Sequence, residues 1–137
     1  MSNVIKSLKF MALAAIVLKP TLAVAACLPS TLGGTWQMFQ PDPGINVDCR
    51  FLLGQSGTIT SSTCRMRNTN TEIALITTTL TGAFKIAADC TVTGSYSIRG
   101  LDYVVEAARI DGSRNAIHGV YRSTNGAFNG TITLVRY

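Results

Sequence analysis

"GGTWQMF", residues 33–39, holds the chain's only tryptophan, and its position decides the fold. Two glycines precede Trp36, and a strand-like stretch follows it. One of the largest apolar side chains therefore stands at the opening of the first predicted strand, where an uncovered chain end would fray. Its cover is written at the other end of the sequence. In "AFNGTITLVRY" (127–137), Phe128, Gly130, Ile132 and Leu134 share one face of an alternating strand, and Arg136 is next on that face. If the sheet closes on itself, the first and last strands lie antiparallel side by side. The Arg136 guanidinium then reaches the Trp36 ring, an attraction of about 0.5–2 kcal/mol. Its N–H groups are free to bond the carbonyls at that end of the barrel. Gly33 and Gly34 let the entering backbone turn tightly under the ring.

Between these ends, helical periodicity is missing and period-two alternation is common. "CTVTGSYSI" (90–98) is the clearest case, with Cys90, Val92, Gly94, Tyr96 and Ile98 on one face and Thr and Ser on the other. Candidate strands are 34–40, 48–54, 58–65, 72–81, 83–88, 90–98, 102–110, 116–123 and 127–136, punctuated by "GQSG", "RGLD", "DGSRN" and "TNG". "QPDPG" (40–44) reads as a loop. A meander of this kind has two open edges unless it closes. The prediction is all-β: an antiparallel up-and-down β-barrel of about eight strands. A two-sheet β-sandwich is the alternative. The repeated form in "VTGSY", "IHGVY" and "FNGTI" puts Gly94, Gly119 and Gly130 inward, where glycines mark corners of a curling sheet or leave room for a ligand.

Residues 1–26 have the layout of a cleaved signal peptide: Lys6 and Lys9, the apolar run "FMALAAIVL", then small residues before Cys27. That run is too short to span a bilayer as a helix. Residues 27–137 are expected to form one β-barrel domain, periplasmic or secreted. "VAAC" also has the form of a bacterial lipoprotein box, in which Cys27 is lipidated and the protein sits on the outer membrane. The competing expectation is that Cys27 is one of four disulfide cysteines, which pair off evenly. Cys49 and Cys64 flank a predicted hairpin that brings them together, a closure worth about 3 kcal/mol. Cys27 and Cys90 then remain, although four cysteines allow three pairings.

The whole chain carries +5. Without Lys6, Lys9 and Lys19, nine basic residues face seven acidic ones, a net charge of +2. The arginines are scattered rather than striped with aromatics, which argues against nucleic acid as a partner. His118, the only histidine, alternates outward with Ala116 and Val120, and no nucleophile and carboxylate accompany it. Asp42, Asn46 and Asp48 lack an EF-hand pattern. Asp102 and Glu106 share a strand face with no evident partner for acid–base work. No catalytic residue, metal set or cofactor is identified, and the sequence predicts a binding protein rather than an enzyme.

"GTW" at residues 34–36 resembles the G-x-W motif that opens the calycins, the barrels that include lipocalins and avidins. In that family a late arginine packs across the tryptophan, and Arg136 matches it. Over residues 32–64, "LGGTWQMF…DCRFLL…STC" resembles small periplasmic inhibitors of secreted bacterial metalloproteases. The resemblance implies an eight-stranded barrel whose short N-terminal segment enters a protease cleft. The matching residues are Leu28, Pro29, Ser30, Thr31 and Leu32, following Cys27. This chain departs from the pattern in having four cysteines, with Cys27 inside that segment. Two functions follow. In the first, the segment or the loops bind a protein partner such as a secreted protease. In the alternative, the barrel holds a small apolar ligand walled by Phe51, Tyr96, Tyr121 and Phe128, since an eight-stranded barrel has room for side chains or one small ligand. Membrane attachment is expected only if Cys27 is lipidated.

Overall fold

Side chains from Gly34 onward alternate between buried and exposed, as the period of two requires, and nine strands form. A computed structural model of the chain describes residues 26–69, 71 and 74–137. A short 3-10 turn, Pro29–Leu32, comes first. The strands are β1 (Gly34–Asp42), β2 (Ile45–Leu53), β3 (Ile59–Asn68), β4 (Ala74–Thr78), β5 (Leu80–Ile86), β6 (Thr91–Ile98), β7 (Leu101–Ile110), β8 (Ala116–Ser123) and β9 (Asn129–Arg136). Their order in the single sheet is β4-β3-β2-β1-β9-β8-β7-β6-β5, and every pairing is antiparallel. The sheet winds almost into a barrel, and the sandwich is excluded.

The first and last strands are neighbours, with Trp36 opposite Arg136. The gap in the ring lies elsewhere, between β3 and β5. There β4 and β5 are separated only by Thr79, and β5 is joined to the β3 side by the isolated Thr58–Ala83 bridge, so nine strands stand where about eight were predicted. The Ser62 hydroxyl bridges this seam. It accepts from the Leu80 N–H and donates to the Leu80 carbonyl, both at 2.7 Å. The Phe84 N–H also bonds the Gly57 carbonyl at 2.9 Å.

Three sequence expectations are corrected. "QPDPG" is a tight hairpin, not a loop: β1 continues through Asp42 and only Pro43–Gly44 turns before Ile45. Pro41 is tolerated because β1 leaves its β9 partner after Phe39, so no ladder bond is asked of the missing N–H. The expected break between 72–81 and 83–88 falls instead at Thr79. Of the two glycines before the tryptophan, only Gly34 adopts the left-handed side, at φ 130°; Gly33 is at −56°.

Gly94 and Gly119 mark close approaches between strands, next to register shifts in the β6–β7 and β7–β8 pairings. A Cβ on Gly119 would lie 2.3 Å from the Ala108 Cβ and 2.5 Å from the Ala107 carbonyl oxygen. Gly119→Ala is expected to cost about 1–3 kcal/mol, because a packed neighbour strand must move. Gly112→Ala, which meets nothing within 4 Å, should cost far less. Urea midpoints of the two variants check this.

Both disulfides form: Cys49–Cys64, directly opposite in the β2–β3 register, and Cys27–Cys90. Two bridges suit an oxidising compartment, extracellular or periplasmic. With its sulfur bonded to Cys90, Cys27 has no thiol left for a lipid.

Candidate functional site

The two ends of the barrel are built differently. At the first, the Trp36 indole is fully buried and donates from Nε1 to the Leu32 carbonyl at 2.7 Å. The Arg136 guanidinium lies over the ring, with Cζ 4.6 Å from its centroid. It donates to the carbonyls of Gly33 (2.8 Å), Arg114 (3.2 Å) and Thr31. One side chain thus secures the entering segment, the β7–β8 turn and the indole together.

These bonds fix residues 27–33 on the barrel. The Cys27 N–H bonds the Ala88 carbonyl at 3.2 Å, and Cys27 is bridged to Cys90. The Leu28 N–H bonds Thr31 Oγ1 at 3.1 Å, and the Thr31 N–H bonds the Leu28 carbonyl at 2.8 Å. The segment is a tight turn rather than an extended arm. Leu32 is buried at 1 % exposure and Thr31 is half-buried. Leu28, 60 % exposed, projects with Pro29 and Ser30 from this fixed base.

At the other end, inward alternation in β1 carries Gln40 and Asp42 into the interior. Asp42 accepts from the Tyr121 hydroxyl, from the Tyr103 hydroxyl at 3.2 Å and from Gln40 Nε2 at 3.0 Å. The Tyr96 hydroxyl donates to Gln40 Oε1. Every buried side-chain polar atom among the described residues has a partner. Burial, reinforced by the Asp42 carboxylate, pushes Tyr103 up to about 12. Burial also raises Tyr96 and Tyr121. A phenol raised in the folded state contributes stability that is whole below its ordinary value of 10.0 and is lost as pH climbs to about 12. The wild-type melting temperature should fall across that window. The fall should be shallower in Tyr103→Phe, as Trp36 fluorescence would record.

The four predicted wall residues do not surround one open space. Phe51, Tyr96 and Tyr121 are buried and Phe128 is half-buried. A file of rings runs through the interior: Phe51 on Phe84 (6.1 Å between centroids), Phe84 on Tyr96 (6.1 Å), Tyr96 on Tyr103 (5.1 Å), and Tyr103 edge-on to Tyr121 (5.8 Å). Phe84, Tyr103, Gln40 and Asp42 were not among the expected interior residues. Gly130 is not a vacancy either, since its Cβ position lies 3.1 Å from the Tyr121 hydroxyl.

His118 is exposed, with its Nδ1 3.3 Å from Thr133 Oγ1. Asp42 and Asp48 point to opposite sides of the sheet: Asp42 bonds the interior tyrosines, while Asp48 bonds Gln37 on the outside. Glu106 has a partner that the sequence did not suggest, Arg122 on β8.

The fold and these two ends define a class: a small antiparallel β-barrel, nearly closed and compatible with the calycin-like arrangement of tryptophan and arginine. No protein-family model, curated protein or solved structure matches the chain.

Proposed function

We propose that this is an exported, non-catalytic binding protein that presents Leu28, Pro29 and Ser30 to a protein partner. The partner class implied by the resemblance to periplasmic inhibitors is a secreted protease. One observation supports this above the ligand reading: an exposed leucine stands on a segment locked by a disulfide, a buried turn residue and the Arg136 guanidinium. A binding element fixed before contact loses little conformational freedom on docking, and that is a recognised route to affinity. The filled interior leaves the outside of the barrel as the surface on offer.

The test is inhibition of purified secreted bacterial metalloproteases by residues 27–137, read as hydrolysis of a fluorogenic peptide. Wild-type protein is expected to inhibit. Leu28→Asp should raise the inhibition constant at least about tenfold, a 1.4 kcal/mol loss. Cys27→Ser with Cys90→Ser, which loosens the same turn, should also weaken it. Inhibition that is unchanged by Leu28→Asp would move the contact elsewhere. Neither inhibition nor complex formation with any protease tested would overturn the proposal.

A further inference from the structure

The outer wall of a barrel is convex, yet the face formed by β1, β2 and β3 carries a concavity of about 440 Å³. Gln37, Asp48, Arg50, Thr63, Arg65 and Tyr137 line it. The register assembles it: Gln37, Arg50 and Thr63 form one row across the three strands, and Asp48 faces Arg65 in the next. Tyr137 supplies the end wall. Its N–H bonds the Thr35 carbonyl at 2.9 Å, and the Arg50 Cζ lies 3.7 Å from its ring centroid. Arg50 is thereby held flat, which removes part of the freedom that a mobile side chain would lose on binding.

We propose that this concavity binds a small carboxylate whose neighbouring atoms carry hydroxyl or amide donors. Three features carry the assignment. First, the two guanidiniums have no carboxylate within 4.0 Å; the one ion pair among the described residues is Arg122 with Glu106. Arg65 stands opposite Asp48 without pairing with it, and Asp48 Oδ1 accepts instead from Gln37 Nε2 at 3.0 Å. Second, the local charge decides between anions. Two guanidiniums, neither paired with a carboxylate, are available to one anion, and Asp48 beside them disfavours a doubly charged one such as phosphate. Guanidinium forks also suit the planar carboxylate geometrically. Third, Asp48 and Thr63 line the same concavity and carry oxygens able to accept hydrogen bonds, so a ligand with donors beside its carboxylate is the better match. The volume falls in the lower part of the range of small-ligand sites, about 300–1,000 Å³. This site lies on the outer wall and does not depend on the partner surface at Leu28.

The test is an NMR titration of the ¹⁵N-labelled protein with D-glucuronate, whose carboxylate is flanked by hydroxyls, and with N-acetylglycine, whose carboxylate is flanked by an amide. D-Glucose and N-acetylglycinamide are the neutral counterparts, and inorganic phosphate is the competing anion. At least one acid should shift the Thr63 and Tyr137 amides saturably, with a Kd of about 1–10 mM, while its neutral counterpart leaves them in place. Tighter binding by glucuronate assigns a uronic acid; tighter binding by N-acetylglycine assigns a peptide carboxylate. Arg50→Gln and Arg65→Gln, both on the solvent face, should each weaken binding about tenfold with unchanged melting. The proposal is overturned by the absence of a saturable shift with either acid, by equal shifts in the double variant, or by phosphate binding more tightly than both. The comparison of acid with neutral ligand decides on wild-type protein alone.

Discussion

Trp36→Ala is expected to destabilise the protein by about 4 kcal/mol, because the indole fills the end of the barrel and little can collapse into its place. The ring is fully buried and joins two systems: it bonds the Leu32 carbonyl of the opening turn and lies under the Arg136 guanidinium. Without it, the guanidinium loses its aromatic face but keeps its carbonyl partners. Trp36→Phe separates these contributions. It keeps much of the buried ring and loses the Nε1 bond, and should cost about half as much. Urea unfolding followed by far-UV dichroism measures both. A loss below about 1 kcal/mol for Trp36→Ala would mean that the end is not closed by this side chain.

The second large effect lies at the opposite end. Asp42→Leu should cost about 3 kcal/mol or more. Three donors converge on that carboxylate: the Tyr103 and Tyr121 hydroxyls and Gln40 Nε2. Removing the acceptor leaves the Tyr103 hydroxyl and Gln40 Nε2 to bear their desolvation cost, about 1–3 kcal/mol each when no new partner is found, while the Tyr121 hydroxyl keeps the Pro41 carbonyl at 2.9 Å. Replacing a whole buried polar set by apolar groups is often neutral, so Asp42→Leu combined with Tyr103→Phe and Tyr121→Phe should recover part of the loss. Asp42→Asn, which keeps one acceptor oxygen, should fall between wild type and Asp42→Leu. If Asp42→Leu equals wild type in its urea midpoint, the cluster contributes nothing to this end.

The architecture was legible because alternation and turn residues are local signals. Trp36 and Arg136 could be paired from opposite termini by counting parity, and the hairpin between Cys49 and Cys64 suggested their pairing without excluding the other two. The Gln40–Asp42 cluster was missed for an identifiable reason. Proline and glycine in "QPDPG" suggested a loop, whereas extending the parity of Trp36 and Met38 by two steps each time would have placed Gln40 and Asp42 inside. Tyr96 and Tyr121 were correctly placed on inward faces, but their hydroxyl partners are over fifty residues away in sequence, beyond any local pattern. The concavity at Arg50 and Arg65 depends on the Tyr137 ring lying against Arg50, and a strand pattern carries no information about that.

The Ser62 clip at the seam has a mechanical consequence. Elsewhere neighbouring strands are laced by backbone ladders with a few register shifts, but between β3 and β5 one hydroxyl does part of that work. Thermal breathing should therefore begin there, as a slit widening between two staves while the remaining wall stays laced. Amide deuterium uptake at Leu80 should outpace that in the β1–β9 lacing, and Ser62→Ala should quicken it further while sparing Trp36.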